Sequence, residues 1–79
     1  MIKIIGVYDN EGKTFDRYTI VFNEKEGIFY NCLGLSFNPD SPQGFSQWST
    51  CQDGNHLGKK VSFESLPINI QNHVIERMK

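Results

Sequence analysis

Apolar and polar positions alternate with the two-residue period of strands over the first half of the chain, and the C-terminal end changes to a helical period. Residues 2–8 (IKIIGVY) are apolar and rich in Ile, and predict a first strand. Asp9-Asn10-Glu11-Gly12-Lys13 reads as a turn, because Asp and Asn bond their own backbone and Gly12 accepts a positive φ. Residues 14–23 alternate most clearly. Asp16, Tyr18, Ile20 and Phe22 fall on one face, and Arg17, Thr19 and Val21 on the other. Tyr18, Ile20 and Phe22 make the core face, which leaves Asp16 near the rim. After a turn at residues 24–27, residues 28–36 predict a third strand. It carries Ile28, Tyr30 and Cys32 on one face and Phe29, Leu33 and Leu35 on the other. Apolar residues on both faces suit a central or doubly covered strand.

The C-terminal segment predicts a helix over about 67–78. Ile70, Val74, Ile75 and Met78 recur at near-helical spacing and form one apolar face together with Ile68. Asn69, Asn72, His73, Glu76 and Arg77 occupy the polar face, where His73 is expected to be solvated. Ser65 is the expected N-cap and Pro67 lies in the first turn, where its missing N–H costs nothing. Short turns between consecutive strands make a meander. The expected fold is therefore α+β: a three- or four-stranded antiparallel meander with one C-terminal helix packed on the sheet, in a single domain over residues 1–79. Residues 59–63 are the candidate for a short extra strand.

Residues 38–58 (NPDSPQGFSQWSTCQDGNHLG) show no period. They are expected to form one long ordered loop, since a compact domain rarely keeps such a loop without a use for it. Phe45 and Trp48 within it argue against disorder. Asn38-Pro39, Ser41-Pro42 and Asp53-Gly54 are turn signals.

The 79-residue length allows one small domain of marginal stability. The aromatic content of 13% offsets a low hydrophobic content of 38%, so an aromatic core is expected. A formal net charge of −1 with scattered Lys and Arg excludes the basic stripe of a nucleic-acid binder. No apolar run reaches the length of a membrane span, and MIKIIGVYDN lacks the apolar stretch of a signal peptide. Cys32 and Cys51 lack CxxC spacing and read as reduced thiols of a cytoplasmic protein, although a single bridge between them stays open. The edge strands of so small a sheet need cover, which points to a homo-oligomer, most simply a dimer.

Chemistry-bearing residues concentrate in the aperiodic stretch. Cys51, Asp53 and His56 are the residue types of a thiol hydrolase, but no nucleophile signature surrounds Cys51. Cys32, Cys51, His56 and His73 lack the paired spacing of a zinc site. No catalytic, metal or cofactor site is expected on these grounds. His56, Lys59 and Lys60 beside Gly58 offer cations to an anionic group, without the form of a P-loop. Phe45 and Trp48 offer flat faces for stacking, while Gln43 and Gln47 can both donate and accept hydrogen bonds. Together with Arg17, a bidentate donor, these residues make a candidate site for a nucleotide-like ligand: Arg17, Gln43, Phe45, Gln47, Trp48, His56 and Lys59. The same aromatic pair suits a protein interface, or it simply plugs the end of the core.

Four segments carry a resemblance: Asp16-Arg17-Tyr18-Thr19, Pro42-Gln43-Gly44-Phe45, His56-Leu57-Gly58-Lys59 and Leu66-Pro67. In these, and over nearly its whole length, the chain resembles a group of small uncharacterised proteins encoded by bacteriophages and mobile elements. The chain has Ser41 where a His is expected before the Pro-Gln-Gly, which argues against a His site there. The resemblance implies an accessory, counter-defence role in the host cytosol, carried out by binding and without chemistry. Such a protein would sequester a nucleotide-like signal; alternatively it would inhibit a host defence enzyme by binding it. A small hydrolase using Cys51 and His56 is the third reading.

Overall fold

The computed structural model describes residues 2–39, 41–42, 44 and 46–79. The fold is α+β, an open antiparallel sheet with one C-terminal helix. Its strands are β1 (Ile4–Asp9), β2 (Tyr18–Glu26), β3 (Phe29–Leu35), β4 (Ser46–Cys51) and β5 (Lys59–Lys60), and its helix is α1 (Ile68–Met78). The order across the sheet is β4-β3-β2-β1-β5. Strands β1 to β4 form the expected meander. The chain then passes from one edge of the sheet to the other before β5 pairs with β1.

The turn at residues 9–13 forms as its composition requires. The Asp9 carboxylate accepts from the Glu11 N–H at 2.7 Å, and the Asn10 side chain accepts from the Gly12 N–H at 2.9 Å. Glu11 and Gly12 both hold positive φ, 62° and 85°. Asn10 also donates to the Thr14 hydroxyl and the Asp16 carbonyl, and this holds residues 10–17 as a loop. Strand β2 therefore begins at Tyr18 and not at residue 14. At its other end it runs through residues 24–26, because Gly27-Ile28 alone closes the hairpin, with Gly27 at φ 63°.

Two layers of contacts hold the sheet. On the first face Val7, Tyr18, Ile20, Phe22, Leu33 and Leu35 pack against Leu66, Ile70 and Val74. The alternation of residues 18–22 thus points as expected, with Tyr18, Ile20 and Phe22 all buried. On the second face Tyr8, Val21 and Cys32 are covered by Leu57 and Cys51. The crossover from β4 to β5 accordingly runs over the face opposite α1. It is pinned there by the Tyr8 hydroxyl, which donates to the Asp53 carboxylate at 2.5 Å.

Several expectations change. The 38–58 stretch is divided by β4, which pairs with β3 from Leu35↔Ser46 to Tyr30↔Cys51. Its SQWSTC sequence carries one apolar side chain on each face, Trp48 and Cys51, because an edge strand at the rim buries little, so alternation could not reveal it. Ser65 does not cap α1. It sits in a short 3₁₀ turn (Phe63–Ser65) and its hydroxyl donates to the Ser62 carbonyl, while Pro67 takes the N-cap position. Ile68 and Ile75 stay outside the core, 68% and 47% exposed, because Ile70 and Val74, with Met78 packed beside them, form the flank that meets the sheet. His73 is not free in solvent. Its Nε2 lies 2.9 Å from the Ser46 hydroxyl, which also accepts from Arg77 at 3.0 Å, and these contacts dock the helix on β4. The core is aromatic through Tyr8, Tyr18 and Phe22, whereas Phe15, Phe29 and Phe37 remain exposed.

Candidate functional site

Two clefts flank the loop at residues 10–17. The first, about 560 Å³, lies between that loop (Gly12, Lys13, Thr14, Phe15, Arg17) and the segment after β3 (Ser36, Phe37, Asn38, Ser41, Gly44). The second, about 550 Å³, lies between the other side of the loop and the crossover, where Asn55, His56, Gly58 and Lys59 face Asp9, Glu11, Asp16 and Thr19. Lys13 and Thr14 line both. Each volume falls within the range of small-ligand sites, about 300–1,000 Å³.

Arg17 anchors the first cleft. Its Nε and Nη2 donate to the two carboxylate oxygens of Asp9 at 2.9 and 3.2 Å. That pairing, foremost its hydrogen bond, lowers the Asp9 pKa and raises that of Arg17. The guanidinium also lies over the Tyr18 ring at 5.4 Å and the Phe37 ring at 5.5 Å. The pair fixes the planar cation at the mouth of the cleft without removing it from solvent. Phe15 and Phe37 stand there 65% and 59% exposed. Large apolar rings that meet water this fully contribute little to folding, and they leave apolar surface for another molecule.

Of the residues singled out from the sequence, those described do not converge on one site. Arg17 lines the first cleft, and His56 and Lys59 line the second. Gln47 and Trp48 are neighbours on β4 and so project to opposite faces of the sheet. The Trp48 ring packs on Phe22, with centroids 5.2 Å apart, and carries the Arg77 guanidinium at 5.6 Å. It remains 38% exposed at the margin of the core. Gln43 and Phe45 lie outside the described residues. Lys13, Phe15 and Phe37 were not singled out. They adjoin turns instead of interrupting an aperiodic run, and only the approach of residues 10–17 to residues 36–44 reveals them.

Cys51, Asp53 and His56 do not assemble as an activated thiol. Burial, with the neighbouring Cys32 and the charge of Asp53, pushes the Cys51 thiol up to about 12, the reverse of what a nucleophile needs. The Asp53 carboxylate is engaged by Tyr8. Cys32 and Cys51 are both free thiols on the face covered by the crossover. Among the described residues, no group of three or more His, Cys, Asp or Glu side chains is placed to hold a metal ion. Nor, among them, is any helix long and apolar enough to cross a membrane.

The Tyr8–Asp53 contact makes a pH prediction. The hydrogen bond to Asp53, with burial, raises the Tyr8 pKa from 10.0 to about 12. The folded state therefore holds this proton more tightly than the unfolded chain. The stabilisation is complete below pH 10 and is lost as the pH rises towards 12. Urea unfolding between these values should show a falling midpoint, and Tyr8→Phe should flatten that fall. At neutral pH the same variant should cost about 1.5–3 kcal/mol, the worth of a hydrogen bond to a charged acceptor.

No protein-family model matches the chain, and no curated protein or solved structure is significantly similar to it.

Proposed function

We propose that the protein is a non-catalytic binder of a nucleotide-like anion, acting as a phage-type counter-defence protein that sequesters its ligand in the host cytosol. The observation that carries this reading is the first cleft, where the exposed rings of Phe15 and Phe37 stand beside Arg17 and Lys13. A planar group would stack on a phenyl ring, at about 1–3 kcal/mol per base. Lys13 and the outer edge of Arg17 would meet an anionic portion. The side-chain amide of Asn38 would supply a polar contact at its rim, where the Ser41 hydroxyl donates to the Asn38 carbonyl and braces the segment. Within this reading Arg17 keeps the role expected for it, and Phe37 takes the stacking role assigned to Phe45 and Trp48. His56 and Lys59 line the second cleft, on the far side of Lys13, where they face Asp9, Glu11 and Asp16, and they take no part in this reading.

Thermal denaturation against a panel of mono-, di- and cyclic nucleotides tests it. A ligand at a hundredfold excess over Kd should add about 2.7 kcal/mol of stability. For a domain of this size that is a rise in Tm of roughly 11–22 °C. Lys13→Glu and Phe37→Ala, both at exposed positions, should abolish the rise while leaving the unliganded Tm nearly unchanged. A panel without any rise would defeat the reading.

The exposure of Phe15 and Phe37 also favours a second reading, an inhibitor that docks these rings on a host enzyme. It is distinguished by a flat nucleotide panel together with a partner whose binding Phe37→Ala removes.

A further inference from the structure

The two edges of the sheet differ in a way that points to self-association. The β5 edge is two residues long, and both are lysines, Lys59 and Lys60. Shortness and Lys are the usual devices by which proteins prevent an edge from pairing. The β4 edge has neither. It runs six residues, Ser46–Cys51, without charge, proline or a break in its register with β3. Among the described residues it has a sheet neighbour on one side only, and Gln47, Trp48, Ser49 and Thr50 are exposed.

We propose that β4 pairs antiparallel with β4 of a second copy, joining two sheets into one across a two-fold axis. The strand suits its own copy. Side chains directly opposite in an antiparallel pair share a face, so a two-fold perpendicular to the sheet must pass at Trp48 or at Ser49. The first choice sets Ser46 against the second copy's Thr50, and the second sets Gln47 against its Cys51. In both, only uncharged residues meet, so no like-charge repulsion opposes the pairing.

The helix above adds to the seam. Contacts of His73 and Arg77 with Ser46 turn that flank of α1 towards β4. The flank carries Glu76 beside Arg77, so a two-fold brings both signs of charge to the junction. Trp48, on the same strand, lies under Arg77 and keeps part of its surface exposed. The whole chain has a formal net charge of −1, which makes repulsion between copies weak near neutral pH.

The test is sedimentation equilibrium of the full chain from micromolar to millimolar concentration, joined to amide hydrogen exchange. The wild type should approach the mass of two chains. The β4 amides that face away from β3 should become protected as concentration rises. Gln47→Lys combined with Ser49→Lys places like charges across the axis and should raise the dissociation constant about a hundredfold or more. Ile75→Lys, on the opposite flank of α1, should leave it unchanged. A dimer that persists in the double variant would place the contact elsewhere and overturn the assignment. A mass of one chain throughout, with β4 amides exchanging at one rate at all concentrations, would overturn the dimer and leave the edge to a strand of another protein. Should the double variant fail to fold, the concentration dependence of wild-type exchange decides alone.

Discussion

Gly58→Ala is expected to lower stability by about 2–3 kcal/mol, enough to drop the Tm by roughly 8–24 °C in a domain of this size. Two causes combine. Gly58 holds φ 130° and ψ −163°, a region open essentially to glycine alone. Its α-hydrogen side also faces the β1 terminus so closely that a Cβ there would lie 2.8 Å from the Asp9 carbonyl and the Asn10 nitrogen. These neighbours are backbone atoms of the hairpin and cannot swing away. Relief would require the crossover to lift, breaking the Asp9↔Lys59 pairing and loosening Leu57 from Tyr8 and Val21. Gly12→Ala separates the two causes. Gly12 has φ 85°, but no atom would lie within 4 Å of its Cβ, so only the conformational cost of about 1–2 kcal/mol applies. Thermal unfolding of both variants checks the order. Equal losses would mean that the crossover does not pack as described.

Gly58 also indicates what could be read before the fold was known. The His56-Leu57-Gly58-Lys59 motif stood out, but its lysine and histidine drew attention as ligand groups. The structure assigns Leu57 and Gly58 to packing the crossover against β1, a role that depends on residues nearly fifty positions upstream. The turn at Asp9–Lys13 was legible because all its hydrogen bonds are local. The helix was legible in position but not in facing. Ile68, Ile70, Val74, Ile75 and Met78 span an arc wider than one sheet contact, and only docking through Ser46 decides which of them are buried. Strand β4 was illegible for the opposite reason: an edge strand with little burial has no hydrophobic pattern to display. The described residues of the candidate site are dispersed for the same reason. Once residues 46–51 are a strand, Gln47 and Trp48 must part to opposite faces, and no loop remains to gather them with His56 and Lys59.

Phe22→Ala is expected to have the largest effect, a loss of about 3–5 kcal/mol. A domain of this length has a total stability of roughly 4–12 kcal/mol, so the variant should be close to unfolded at room temperature. Phe22 is fully buried in the centre of the sheet, among the residues that pack beneath α1. It is also the ring on which Trp48 rests. Its loss removes a large apolar volume from the interior and the support of the indole at the margin, two effects that one fluorescence-detected urea titration reads together. The midpoint should fall steeply. In whatever folded fraction remains, Trp48 emission should move towards that of a solvated indole. Phe22→Leu, which keeps most of the volume, should cost about 1.5 kcal/mol or less. Ile28→Ala supplies the contrast. Ile28 is as apolar as its neighbours, but it is 73% exposed in the Gly27-Ile28 turn, so its removal should change the midpoint by no more than about 0.5 kcal/mol. If Ile28→Ala and Phe22→Ala were to cost the same, the register of the β2–β3 hairpin would be wrong. Trp48 would then not rest on Phe22 beneath Arg77, and β4 would lose the seat that presents it as an open edge.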